Sequence, residues 1–228
     1  MSSNPSIEDS HKLWSSRLHT EVLFWERWIK TGGLNWPGDF QWRTNPNSQL
    51  QPELAALLQS PTAKIIDVGA GPLTSVGKEW KGHKLEVTAV DPLAEEFSSL
   101  LLKYNVVAPV QTVKAEAEAL SDFFLEDSFD LAMARNCLDH SYDPFLAIRQ
   151  MLLVTKAGGT VYLKHLVDEG AREGYGGLHQ WDFAEQAGDF VISAPARAPV
   201  NVSQELGGVS DISVSSSGGW ITVVMRKR

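Results

Sequence analysis

Between residues 63 and 166, short apolar runs alternate with stretches of helical spacing, and this alternation constrains the fold more than any other feature of the chain. "AKIIDV" (63–68) is an apolar run bounded by turn residues, the mark of a buried strand. "LEVTAV" (85–90), "QTVKA" (111–115), "FDLAMAR" (129–135) and "TVYLKHL" (160–166) repeat the pattern. Helical spacing fills 93–104 and 143–155, an Ala/Glu/Leu-rich helix is expected up to residue 125, and Gly158-Gly159 turns the chain into the fifth strand. Strands alternating with helices through short links predict an α/β fold with a doubly wound, mostly parallel sheet. Further on, "DFVISAP" (189–195) and "WITVVMRK" (220–227) read as two more strands, an antiparallel pair at one edge. The Ser/Gly/Val-rich tract 196–218 between them gives no assignable pattern.

Ahead of the strands, Leu13, Trp14, Leu18, Val22, Trp25, Trp28 and Ile29 recur at steps of three and four, the stripe of an amphipathic helix over 9–30. Gly32-Gly33 is its expected stop. The Pro-, Gly- and Asn-rich stretch 34–50 reads as irregular, and 51–59 as a short helix with Pro52 in its first turn. The chain thus divides into an N-terminal helical lid (1–60) and a sheet domain (61–228). A formal net charge of −8 repels a phosphate backbone, so nucleic acid is not an expected partner. No run of about 18 apolar residues spans a membrane, and the polar, acidic 1–10 stretch is expected to carry no secretory signal. The single cysteine, Cys137, forms no intramolecular disulfide and suits a reducing compartment. The expectation is a cytoplasmic protein, with no membrane partner and an unassigned oligomeric state.

"IIDVGAGPLTSVG" (65–77) carries the chemistry. Gly69 and Gly71 fall directly after the first strand, where a ligand at the carboxyl edge of a parallel sheet approaches the backbone. Asp91 ends the second strand, 24 positions after Asp67, a spacing at which a carboxylate reaches ribose hydroxyls. The strand-terminal acid raises the loop above an ordinary βα turn that needs glycine for positive φ alone. Together with "VTAVDPLAEEF", "VKAEAEAL", "FDLAMARNCLDHSYDP" and "KAGGTVYLKH", the loop resembles class I S-adenosylmethionine-dependent methyltransferases, over about 63–166. The resemblance implies that Asp67, Gly69, Ala70 and Gly71 surround the methionine end of S-adenosylmethionine. It also implies that Asp91 holds the ribose, that Pro92 and Leu93 pack on adenine, and that Glu116, between Ala115 and Ala117, lies near the adenine amino group. Asn136 would face the methionine portion, and S-adenosylhomocysteine would be the product. Leu73 stands where a third glycine is usual. That counts against the rival, a nicotinamide dinucleotide, whose pyrophosphate needs a closely packed helix N-terminus. A protein that binds the cofactor without turnover is the alternative from another class.

Methyl transfer needs an aligned acceptor and, for a hydroxyl, a route for its proton. Three histidines lie near the expected mouth: His140 in "NCLDHSYDP", His179 in "GYGGLHQWDF" and His165 in "YLKHL". His140 is the first candidate base and His179 the second, although helix capping, core packing and lid anchoring are competing roles. "DEGAREGYGGLHQWDF" also resembles a stretch found in a subset of bacterial methyltransferases, many placed in polysaccharide or natural-product pathways, which implies acceptor contacts from Glu169, Glu173, Tyr175, His179, Gln180 and Trp181. Trp36, Trp42 and Arg43 are candidates for a lid over a small, hydroxylated acceptor. A metal site built from Asp139, His140 and a nearby carboxylate is one alternative, but the spacing is not diagnostic, so helix capping is the default role and no metal ligand is assigned.

Overall fold

The computed structural model describes residues 6–228, so the first half of the 1–10 stretch lies outside the described residues. Helices α1 (Ile7–Arg17), α2 (His19–Thr31), α3 (Pro37–Thr44) and α4 (Pro52–Ala55) precede strand β1 (Lys64–Val68). A small hairpin, β2 (Glu79–Trp80) and β3 (His83–Lys84), leads to β4 (Glu86–Val90), α5 (Ala94–Lys103), β5 (Thr112–Val113) and β6 (Phe129–Arg135). After α6 (Pro144–Val154) and β7 (Thr155–Leu166) come α7 (Glu169–Arg172), β8 (Asp182–Gln186), β9 (Asp189–Ser193), β10 (Val200–Asn201), α8 (Val202–Leu206), β11 (Ser210–Ser217) and β12 (Trp220–Lys227).

The main sheet has the order β11-β12-β7-β6-β1-β4-β5. The pairs from β7 to β5 are parallel, whereas β12 runs antiparallel to both β7 and β11. Strand order reverses between β1 and β6, so the crevice at their carboxyl ends is the switch point where ligands bind in open α/β sheets. One face of the sheet packs on α6, with Ile66, Val68, Ala147, Ile148 and Met151 fully buried. The opposite face is closed by Leu50, Leu54 and Leu58 around α4 and, further along, by Trp28 and Ile29 of α2 against Leu73, Leu93 and Phe97. Among the described residues, no helix is long and apolar enough to cross a membrane.

Several expectations are corrected. The stripe over 9–30 forms two helices because His19 Nδ1 and the Thr20 hydroxyl engage the carbonyls of Ser16 and Arg17, competing with the helical ladder at the joint. Gly32 does end α2, at φ 67°. The stretch 34–50 contains α3, nucleated by Pro37 in its first turn, where a fixed φ favours the helix. The helix over 51–59 contracts to α4. After β5 there is only a 3₁₀ segment, Ala117–Asp122, with non-helical torsions at Ala119, because the Glu118 side chain turns inward to bind Tyr142 and Asp143. The strand–helix alternation fails at the first crossover, where residues 69–78 are irregular and the β2–β3 hairpin stands in place of a helix.

The expected edge pair is also different. β9 pairs with β8 and β10 in a separate three-stranded sheet, while the partner of β12 comes from the tract that gave no pattern. Gly218 and Gly219, at φ 59° and 81°, form the two-residue turn that folds β11 back on β12.

Candidate active site

The loop after β1 is fixed from beneath by Asp67. Its Oδ2 accepts from the Thr74 hydroxyl at 2.6 Å and from the Ser75 amide at 3.0 Å, with the carboxylate fully buried. Asp67 therefore shapes the loop and does not reach the cavity above it. Arg43 clamps the same loop from α3, donating to the Leu73 carbonyl at 2.8 Å and to Asp39 Oδ2 at 2.8 Å. Leu73 is completely buried against α2 and α5, which explains why a third glycine is absent: the position is a core anchor. Gly71, at φ 65°, lies under Trp25, and a Cβ there would meet the indole at 2.8 Å. A Cβ on Gly69 would meet Cys137 Sγ at 2.6 Å. Ala70 is buried, its amide bonded to the Val90 carbonyl.

Asp91 faces the loop from the end of β4. Its two oxygens accept from the amides of Gly71 and Leu93, each at 3.0 Å, and burial pushes its pKa up to about 7 despite those hydrogen bonds. Asp91, Pro92, Leu93, Gly69, Gly71 and Ala117 line a cavity of about 670 Å³. That volume lies in the ordinary range for small-molecule sites, roughly 300–1,000 Å³. Ala115 is buried outside this lining. Glu116 also lies outside it, accepting from the Tyr142 hydroxyl at 3.1 Å. The carboxylate that enters the cavity is Glu118, whose pKa burial pushes up to about 8.

The opposite strand supplies Asn136, which has φ 49°. Its amide nitrogen donates to Glu169 Oε1 at 3.1 Å, and its oxygen accepts from the Leu166 amide at 3.0 Å. Cys137 donates to the Val68 carbonyl, and burial pushes its thiol pKa well up, so it is a packing residue and not a nucleophile. Past it, a 3₁₀ turn (Leu138–His140) projects Asp139 and His140.

His140 Nε2 lies 2.9 Å from His179 Nδ1, and His179 Nδ1 lies 2.8 Å from Asp139 Oδ2. Burial lowers the pKa of His179, but the hydrogen bond and charge of Asp139, with Glu169 and Glu173 nearby, outweigh it and leave the pKa raised. Burial likewise raises the pKa of Asp139, and the facing histidines reverse that to a net lowering. His165 is elsewhere. It is buried against Phe183, neither ring nitrogen has a partner, and burial drives its pKa down to about 4, so it does not reach the cavity.

The remaining candidates separate. Trp36 and Arg43 line the main cavity, whereas Trp42 stacks under Lys78 Nζ at 4.8 Å. Tyr175, Gln180 and Trp181 line a second cavity of about 330 Å³, bordered by α1 and the 194–197 turn. Their polar atoms are taken up locally: the Tyr175 hydroxyl donates to Asp182, Gln180 folds onto the Tyr175 carbonyl, and Trp181 Nε1 donates to the Ser141 carbonyl at 2.8 Å. Sequence reasoning missed Glu21, which lines the main cavity from α2 with its Oε1 3.4 Å from His140 Nδ1. It also missed the cavity-facing Trp25, Arg135 and Trp220. Glu21 did leave a signal, because it falls three residues after Leu18 and four before Trp25, on the line of the apolar stripe Leu18–Trp25–Trp28.

A parallel sheet with a glycine loop and a strand-terminal acid at its switch point defines a Rossmann-like protein built to bind a nucleoside-containing cofactor. Residues 66–163 match the family described as a methyltransferase domain. It is 33% identical over 116 residues to the ubiquinone biosynthesis O-methyltransferase of Xanthomonas campestris pv. campestris, a match that covers 50% of this chain and 47% of that protein. The chain thus spans about half the length of the curated relatives it matches. Among solved structures, a methyltransferase from Methanosarcina mazei aligns with TM-score 0.48 at 18% identity, covering 78% of this chain and 98% of that one. The trans-methyltransferase CalH, in complex with S-adenosylhomocysteine, aligns with TM-score 0.49 at 14% identity, over 74% of this chain and 52% of that one.

Proposed function

We propose that the chain transfers the methyl group of S-adenosylmethionine to a hydroxyl of a small, polar acceptor such as a saccharide or natural-product intermediate. The acceptor would be activated at the Asp139–His140–His179 cluster. The observation that carries the reading is that a single cavity joins the glycine loop and Asp91 to His140 and His179 of that cluster. The cofactor fits the residues present: Asp91 and Glu118 offer carboxylates toward a nucleoside, and no helix N-terminus follows β1 to receive a pyrophosphate. The dinucleotide alternative is disfavoured for that reason. The O-methyltransferase named among the relatives supports a hydroxyl acceptor. Catalysis would rest on alignment, with α2 and its tryptophans excluding water from one wall of the cavity.

The test is formation of S-adenosylhomocysteine from labelled S-adenosylmethionine across a panel of hydroxylated acceptors. Asp91→Ala is expected to abolish cofactor binding in calorimetry. Unchanged affinity in that variant, or a rise in melting temperature with NADH and none with S-adenosylmethionine, would refute the assignment.

A further inference from the structure

We propose that Asp139, His140 and His179 form a binding site for a divalent first-row transition cation beside the acceptor. The cluster brings three ligand atoms to one point. His140 Nε2, His179 Nδ1 and Asp139 Oδ2 lie 2.9, 2.8 and 3.3 Å apart as the sides of a triangle. Ligands held at about 2.0–2.2 Å from one ion on adjacent coordination positions are separated by about 3 Å. Two imidazoles and one carboxylate on a single face are the donor set of cations such as Zn²⁺, Mn²⁺ and Fe²⁺, and not of Mg²⁺ or Ca²⁺, which prefer oxygen throughout.

His140 Nδ1 faces Glu21 Oε1 at 3.4 Å, a carboxylate on the side of the ring away from the cluster. A cation would satisfy the three converging atoms at once. A carboxylate behind a ligating histidine is the usual outer partner that fixes its tautomer. Two further oxygens support the site. Asp139 Oδ1 and Glu169 Oε2 are both buried without a hydrogen-bond partner, and Glu169 lines the same cavity. The two loops that bear the ligands are tied together, the Gln180 amide donating to the Asp139 carbonyl at 3.0 Å and Trp181 Nε1 to the Ser141 carbonyl.

The role of the cation, though not its binding, rests on the methyl-transfer reading. With three protein ligands on one face, the remaining coordination positions are open to an acceptor hydroxyl, whose acidity rises on coordination. The hydroxyl proton leaves to water. The oxygen then forms a bond to the methyl carbon as the carbon–sulfur bond breaks, its electron pair staying on sulfur. In this arrangement His140 and His179 act as ligands, and neither needs to take the proton.

The experiment uses the full chain, stripped with a chelator and titrated with Co²⁺, read by its visible d–d absorption. One equivalent is expected to bind. His179→Gln and Asp139→Asn should each weaken binding at least tenfold, Glu21→Gln by a smaller factor, and the exposed His83→Gln not at all. Equal Co²⁺ affinity in wild type and His179→Gln, or no d–d band at one equivalent, would overturn the site. The readout needs no turnover. A chain that binds Co²⁺ but never forms S-adenosylhomocysteine keeps the site and removes the methyl-transfer reading. Full methylation after chelation keeps the methyl-transfer reading and removes the cation's role.

Discussion

Glu118 is a carboxylate inside the cavity wall whose Oε1 accepts from the amides of Tyr142 and Asp143, at 2.9 and 3.1 Å. Burial raises its pKa from 4.5 to about 8, and raises that of Asp91 to about 7. The folded chain therefore holds protons that the unfolded chain has already released. Their stabilising effect is complete below the unfolded values and is lost as pH rises through about 7 to 8. Glu118→Gln keeps an oxygen for both amides and removes the buried charge. It is expected to raise the melting temperature at pH 8 and leave it nearly unchanged at pH 4, and thermal melts at the two pH values check this. At this scale the sequence was legible in part. The spacing located Asp91 and the loop glycines, which strand geometry places directly. It pointed to Glu116 where Glu118 lines the cavity, because which of the two carboxylates faces inward depends on the 3₁₀ geometry after β5. It also could not pair His140 with His179, since 38 intervening residues conceal their meeting.

The central strands of the parallel sheet were readable because they are short apolar runs buried on both faces, as β1 is from Ile65 to Val68 and β6 from Leu131 to Ala134. The edge elements were not. β11 is a Ser-rich strand with Ile212 and Val214 as its only apolar residues, and its pairing is set by the Gly218-Gly219 turn more than by hydrophobicity. α3 was concealed by Pro37 and Gly38, which read as loop residues although Pro37 begins the helix. The contact between the 3₁₀ turn (Leu138–His140) and the loop after α7 is an element-scale feature with its own consequence. Trp181→Phe removes the hydrogen bond to Ser141 together with part of the buried indole. It is expected to cost about 2–3 kcal/mol in denaturant unfolding. Faster amide exchange should appear across 176–181, with little change in the parallel strands.

Across the whole molecule, the N-terminal helices and the sheet share one apolar cluster. Trp28 and Ile29, 2% and 3% exposed, pack on Leu73, Leu93 and Phe97. Cutting the chain to 61–228 would expose that surface and remove the wall of the cavity formed by Glu21 and Trp25. The truncated chain is expected to associate in sedimentation analysis and to melt at lower temperature than the full chain, which should unfold in one transition. Independent folding of 61–228 with unchanged stability would separate the two parts. The Glu21–His140–His179 contact also has a consequence in time. A ribosome delivers α2 early, but its partner His179 follows 158 residues later, about 8 to 30 s at ordinary synthesis rates. During that interval the tryptophan face of α2 has neither Leu93 nor Phe97 to cover it at first, and it must be shielded or remain unfolded. The His140–His179 end of the cavity is thus completed after the parallel strands β1, β4, β5, β6 and β7 are made and before the edge strands β11 and β12.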